Sequence, residues 1–366
     1  MTDNDELPGL EAEAPGSTSE AVSRAFGVAN RERLLDEYFG TTSHLNAANA
    51  WQHVYRLLLW IDRTTGLAHC YESDKCQPGR PWYARSLRFH DWFASELDVP
   101  PGELGDHIDW LFSRASADLA AASAAAKHST RALEQRAPYA DRGFPEPGED
   151  PELVAIILEV LAQWLTAPPS DDVLQSLTER IQAHVTKENK RKNLVGEGFE
   201  DTLVAVLQRV PKIGEGYHVH ARPNLHSLPG FHPPLAHQKP RQVDLALVRK
   251  QDQRRILVTA KWSVRSDREE QFPADFRDYS RLEALGQDFD YVLVTNEFDA
   301  ARLVAACDVR RENAPLFNNV VHVNTVGPVE VYGPKPTRSA RRLAERVTYG
   351  RLESLGSWLV SLQNAL

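Results

Sequence analysis

Val243-Asp244-Leu245-Ala246-Leu247-Val248 is followed, after a polar stretch, by Ile256-Leu257-Val258-Thr259-Ala260-Lys261-Trp262-Ser263-Val264-Arg265-Ser266-Asp267-Arg268. Two apolar, β-branched runs separated by residues 249–254 predict adjacent strands joined by a turn. The first run carries one acid, Asp244, and the second ends on one cation, Lys261. A charge on a buried strand costs free energy unless it is paired or put to use. An acid on one strand and a lysine near the end of the next suit metal-dependent attack on a phosphodiester. The acid holds a divalent cation, and the lysine positions or activates the attacking water. Arg265, Asp267 and Arg268, just downstream, are residue types that read base edges in DNA.

Asp244 followed by Ala260-Lys261 resembles the PD-(D/E)XK nuclease core. The octapeptide Lys261-Trp262-Ser263-Val264-Arg265-Ser266-Asp267-Arg268 is similar to the type II restriction endonucleases that cut sites containing CCGG. The resemblance spans residues 187–325. It implies an α/β fold of the restriction-endonuclease kind, a mixed central sheet flanked by helices. It further implies Mg²⁺ as cofactor, double-stranded DNA as substrate, and a homodimer or homotetramer acting on a palindromic site. A cognate DNA methyltransferase, acting on the same site without stable binding, and a prokaryotic cytoplasmic setting in phage defence belong to the same expectation.

Residue by residue, the resemblance makes Asp244 a direct metal ligand and Ala260 a ligand through its carbonyl. It sets Lys261 against the scissile phosphate or the attacking water. Thr259 stands where the core has Glu or Asp, and Val243 where the signature has Pro. In the CCGG group the second acid has moved to the following helix; here that position is Asp275, with Glu270 as the nearest substitute. Upstream, Gly196-Glu197-Gly198-Phe199-Glu200 matches a Gly-x-x-Phe-Glu pattern that supplies a further acid, Glu200, with Glu197 as fallback. Arg265, Ser266, Asp267 and Arg268 form the expected DNA-reading element. Each arginine can fork onto O6 and N7 of guanine, and Asp267 can accept from N4 of cytosine. The alternative for Arg265–Arg268 is a salt-bridged turn or a helix N-terminus with Ser266 or Asp267 as cap.

Phe199, Leu203, Val206, Leu207 and Val210 predict an amphipathic helix with Glu200 in its first turn, where an acid is favourable with the helix dipole. Lys190, Arg191 and Lys192, with Lys187, would stand at its mouth as phosphate contacts or as a solvated charge run.

The rest of the chain sets outer bounds. Its 366 residues support two or three domains. The net charge of −9 argues against a generic nucleic-acid binder, though not against an enzyme with a local basic cleft. Three cysteines, Cys70, Cys76 and Cys307, show no metal spacing, and their odd number suits a reducing compartment. The acidic start, Met1-Thr2-Asp3-Asn4-Asp5-Glu6, does not read as a signal peptide, and no apolar stretch is long enough for a membrane span.

Composition places a disordered acidic tail over 1–25, a helical domain of unknown role over 26–136, a Pro- and Gly-rich linker over 137–150 and the nuclease domain over 151–366. Helices are predicted over 51–61, 89–97, 104–135, 151–165, 170–190, 275–286 and 339–366, and further strands over 217–221, 290–295 and 319–323. The segment 72–85 gathers Lys75, Arg80 and Arg85 around Trp82 and Tyr83, and reads either as a DNA-contacting loop or as a rigid surface loop. The histidines between His218 and His237 follow no regular ligand spacing, so zinc is set aside. Two other functions stay open: a repair or defence nuclease without CCGG preference, and a DNA-binding protein that has lost cleavage, which Thr259 invites.

Overall fold

The structure is a computed structural model that describes residues 18–42, 44–62, 65–68, 70, 76–126, 151–162, 169–234, 239–264 and 270–366. In chain order the elements begin with helices α1 (Thr18–Phe26), α2 (Val28–Thr41) and α3 (Ala50–Leu58). A small hairpin follows, β1 (Ile61–Asp62) and β2 (Leu67–Ala68), then α4 (Pro81–Glu96), α5 (Trp110–Ala126), α6 (Pro151–Ala162) and α7 (Asp171–Arg209). After the short turn α8 (Ile213–Gly216) come β3 (Tyr217–Ala221), β4 (Leu245–Arg249), β5 (Arg255–Lys261), α9 (Gln271–Leu282) and β6 (Asp290–Thr295). Then follow α10 (Ala300–Asp308), the hairpin β7 (Arg310–Arg311) and β8 (Ala314–Pro315), and β9 (Asn319–His322). The chain closes with α11 (Gly327–Glu330), α12 (Arg338–Thr348), β10 (Glu353–Ser354) and α13 (Leu355–Asn364).

The chain groups into two compact bodies. One comprises 1–31 and 114–193, the other 32–113 and 194–366. The described part of the first is helical: α1, most of α5, α6 and the first part of α7. Within it, Asn30 donates to the Asp118 carboxylate at 2.9 Å and to the Ala25 carbonyl at 2.8 Å. The expected linker at 137–150 lies outside the described residues. The expected tail over 1–25 does so only as far as residue 17, because α1 begins at Thr18.

The second body is built on a six-stranded mixed sheet in the order β10-β9-β6-β5-β4-β3. β5, β6, β9 and β10 run parallel, while β4 pairs antiparallel with β5 and with β3. Leu245–Val248, Ile256–Ala260 and Tyr291–Thr295 are buried throughout, as strands covered on both faces must be, and that explains why these runs are apolar apart from Thr259 and Thr295. The fold class read from the sequence is thus the observed one: a mixed central sheet flanked by helices. Residues 32–113, expected in a separate helical domain, pack in this same body. Phe89 on α4 meets Phe298 edge-on at 4.8 Å, and Tyr55 on α3 donates to Asn296 at 2.8 Å.

Three helical expectations are corrected. The segment 104–135 is not one helix from its start: α5 begins only at Trp110, after Asp109 at φ +60°. The segment 170–210 is one helix of 39 residues, not two. Gly196 and Gly198 do not interrupt it, and Gly198 is a packing glycine: a Cβ there would come within 3.3 Å of Leu111 and Leu58. The segment 339–366 is not one helix but two, α12 and α13. Gly350, at φ +66°, turns the chain between them, and Glu353–Ser354 join the sheet as β10. No described helix is long and apolar enough to cross a membrane.

His322, the last residue of β9, is fully buried. Its Nε2 faces the Glu297 carbonyl at 2.8 Å, and Nδ1 accepts from the Asn324 amide at 3.0 Å. Burial pushes its pKa down to about 4. The unfolded chain takes up a proton near pH 6.5 that the folded protein refuses until about 4, so this group withdraws stability as pH falls across that window. His322→Gln is expected to melt lower than wild type at pH 7.5 but to lose less on acidification to pH 4.5. Equal losses in both proteins would assign the acid sensitivity to other groups.

Candidate active site

Asp244 stands one residue before Leu245, where β4 begins. Its backbone is already held, since its carbonyl accepts from the Arg222 amide at 2.8 Å. Its side chain turns to β5, where Oδ2 accepts from the Ala260 amide at 2.8 Å, the Lys261 ammonium at 2.6 Å and the Thr259 hydroxyl at 3.2 Å. β4 pairs with β5 only up to Leu245 opposite Val258, so the edge of residues 259–261 is open to this carboxylate. A strand residue's amide and carbonyl lie on the same edge, and the Ala260 carbonyl therefore faces the same side as Asp244.

Two more carboxylates converge on this pair from flanking helices. Glu200 on α7 accepts from Arg222 Nη1 at 2.9 Å. Burial, with the charge of Asp244 added, pushes its carboxyl up to about 7 against the pull of Arg222 and Lys261. Asp275 on α9 is half-buried, and its carboxyl is raised by burial, with Asp244 adding to the shift while Arg241 and Lys261 oppose it. Among the described residues nothing donates a hydrogen bond to Asp275. The spacing is fixed by packing: Trp262, next to Lys261, meets Phe199, next to Glu200, edge-on at 5.3 Å.

The structure thus brings together Asp244, Lys261, Glu200 and Asp275, with the Thr259 hydroxyl also on Asp244. Glu197 and Glu270 are exposed. Glu200 is not in a first helical turn but deep in the last third of α7, so the helix dipole does not account for it. Nor do the four upstream cations stand at a helix mouth, since they lie mid-helix. Arg191 is only 7% exposed, which removes it as a surface phosphate contact. Lys190 is half-exposed, and the side chain of Lys192 lies outside the described residues. Arg265, Ser266, Asp267 and Arg268 also lie outside them.

No family of proteins matches this chain. No curated protein matches it either. A solved complex of the restriction endonuclease PspGI with its substrate DNA is similar over 96% of this chain and 94% of that one, at 11% identity and a TM-score of 0.35. A likeness of that degree adds no weight to the site, which stands on its own geometry.

Two residues that the sequence reading passed over support the site. Arg222 has φ +46°, a costly conformation outside glycine, and its guanidinium binds both Glu200 and Asp201. It therefore links the α7 acids to the backbone of Asp244. Glu297, buried beyond the end of β6, accepts from the Val264 amide at 2.8 Å and the Asp299 amide at 2.7 Å. Asn296 reinforces this by donating its amide to the Trp262 carbonyl at 3.1 Å. The segment leaving Lys261 is pinned before it reaches Arg265. No local pattern marks either residue, because their partners are distant in sequence.

The donor set suits a hard divalent cation such as magnesium, which prefers carboxylate, carbonyl and water oxygens. Asp244, Glu200, Asp275 and the Ala260 carbonyl are of that kind; burial chiefly raises the Glu200 and Asp275 carboxyls, and the part added by the charge of Asp244 is what a cation would relieve. Among the described residues no three acidic, histidine or cysteine side chains already converge into a cage. Lys261 is paired with Asp244 and Arg222 with Glu200, so both ion pairs would have to loosen for a cation to enter.

Proposed function

We propose that the protein is a Mg²⁺-dependent endonuclease of double-stranded DNA, a type II restriction endonuclease acting at a palindromic site that contains CCGG. The observation that carries the reading is the Asp244–Lys261 pair at the open end of β5, with Glu200 and Asp275 both under the charge of Asp244.

In this mechanism Asp244 and the Ala260 carbonyl would hold the metal, with Glu200 and Asp275 beside it. Magnesium bound there would offset charge on the phosphate and lower the pKa of water. Lys261, released from Asp244, turns its ammonium to the scissile phosphate or the attacking water. Water attacks the scissile phosphorus directly and loses a proton to solvent, while the P–O bond to the leaving nucleotide breaks and its oxygen takes up a proton from solvent; no covalent intermediate forms on the protein. Arg265, Ser266, Asp267 and Arg268 follow the lysine directly and read the G·C pairs, while Lys190 and Lys192 contact phosphates. A palindromic site has two-fold symmetry, so the acting form is a homodimer or a homotetramer. A cognate methyltransferase would protect the same site in a prokaryotic cytoplasm.

The competing reading, a DNA-binding protein that no longer cuts, draws on Thr259 and on the closed Asp244–Lys261 pair. One experiment separates the readings. Digestion of a sequenced plasmid with Mg²⁺, with fragment ends mapped, is expected to give discrete bands ending at CCGG-containing sites. A smear would point to a nuclease without that preference, and intact plasmid under Mg²⁺ to a protein that only binds.

A further inference from the structure

Lys261 at the end of β5 pairs in register with Thr295 at the end of β6, and Thr295 with His322 at the end of β9. These strand ends form a row with steps of about 4.8 Å. Tyr332 stands at the same edge. Its hydroxyl accepts from the Ala300 amide at 2.8 Å and reaches the Phe298 carbonyl at 3.4 Å, both on the segment leaving β6. α4 is fastened to this corner by arginine: the Arg85 guanidinium lies 4.3 Å over the Tyr332 ring, and Arg88 donates to the Val331 carbonyl at 3.1 Å. Arg88 also covers Gly333, where a Cβ would come 2.9 Å from its Nε. The chain then runs past Lys335 into Arg338 and Arg341, all three exposed.

Charge is concentrated here against the balance of the whole chain. Residues 80–91 and 330–342 contain Arg80, Arg85, Arg88, Lys335, Arg338, Arg341 and Arg342, with only Asp91 and Glu330 as acids, in a protein of net charge −9. Of these cations only Arg342 makes an ion pair among the described residues, with Asp308 at 2.9 Å. α12 has no acid in its first turn and begins instead with arginine, which opposes the helix macrodipole. Stability of the free protein does not favour that arrangement, whereas a polyanion lying across it would.

We propose that α4 and the segment 333–341 form a cationic ledge that receives the phosphate backbone of a DNA duplex alongside the strand-end row carrying Lys261; the proposal rests on the nuclease reading above. A duplex carries a negative charge about every 1.7 Å along its axis, a linear array that suits cations spread along one edge. The ledge carries no base-reading geometry, so its contribution is independent of sequence.

The test is the triple variant Lys335→Ala, Arg338→Ala, Arg341→Ala, none of which touches the catalytic residues. Binding to duplexes with and without CCGG is followed by fluorescence anisotropy in chelator, from 50 to 200 mM KCl. Affinity is expected to fall about tenfold or more on both duplexes. The slope of log K against log salt should flatten by roughly 0.9 for each phosphate that the removed cations had neutralised. The melting temperature should stay at or slightly above the wild-type value, since a cation leaves the N-terminus of α12, and Arg338→Ala alone should show a smaller drop in affinity in the same direction. Wild-type affinity and slope in both variants would overturn the ledge while leaving the nuclease reading intact. A drop confined to the CCGG duplex would also overturn it, by showing base reading. A wild-type protein that binds neither duplex would overturn the ledge and the nuclease reading together.

Discussion

Asp244→Ala and Lys261→Ala are each expected to lower Mg²⁺-dependent plasmid cleavage by at least about 10²–10³-fold, the loss typical of removing one preorganised charge from a transition state. Folding should survive in both. The two side chains sit at strand ends, 24% and 19% exposed, so each leaves its partner within reach of water and not stranded in the core. Circular dichroism and thermal melting check the fold, and initial rates on supercoiled plasmid check the chemistry. Cleavage by either variant at a rate near wild type would remove the proposed active site. Asp275→Ala should also impair cleavage. If Asp275→Ala cuts normally while Glu270→Ala does not, the second acid is Glu270 despite its exposure.

The largest expected effect on stability lies at the opposite end of β5. Arg255 is 1% exposed, and its guanidinium binds Glu283 at 2.8 Å, the Gln287 carbonyl at 2.7 Å and the Pro229 and Gly230 carbonyls at 3.2 and 3.3 Å. The Phe231 ring stacks under it at 5.0 Å. Removing one partner of a buried pair leaves an uncompensated charge and costs about 3–5 kcal/mol. Glu283→Ala should fall at the low end of that range, because the carbonyls remain, and Arg255→Ala at the high end, because Glu283 and several carbonyls lose their donor. Denaturant midpoints with unchanged slopes would measure this. A loss under about 1 kcal/mol in both variants would show that the network is dispensable. Gly230→Ala should disturb the same corner. Its φ of +78° disfavours a side chain, and a Cβ would meet Arg255 Nη1 at 2.3 Å.

The sheet was legible because strands buried on both faces need predominantly apolar runs, and Leu245–Val248, Ile256–Ala260 and Tyr291–Val294 provide them. The Asp244–Lys261 pair was legible for the converse reason: a charge within such a run has few explanations. Periodicity failed where a glycine has two possible uses. Gly198 reads as a helix start but serves close packing, whereas Gly350 passes unnoticed in a helical pattern that it ends. The partners of Glu200 and Val264 were not legible. Arg222 and Glu297 lie 22 and 33 residues away from them, and only the folded sheet brings each pair together.

The bond from the Val264 amide to Glu297 gives the next stretch of chain a fixed starting post, and Glu270, at the start of α9, supplies the other. Five residues, 265–269, join them, a span that even fully extended reaches only about 20 Å. Under the proposed function, Glu297 therefore governs how firmly base reading by Arg265–Arg268 is tied to Lys261, and loosening it would cost fidelity and turnover together.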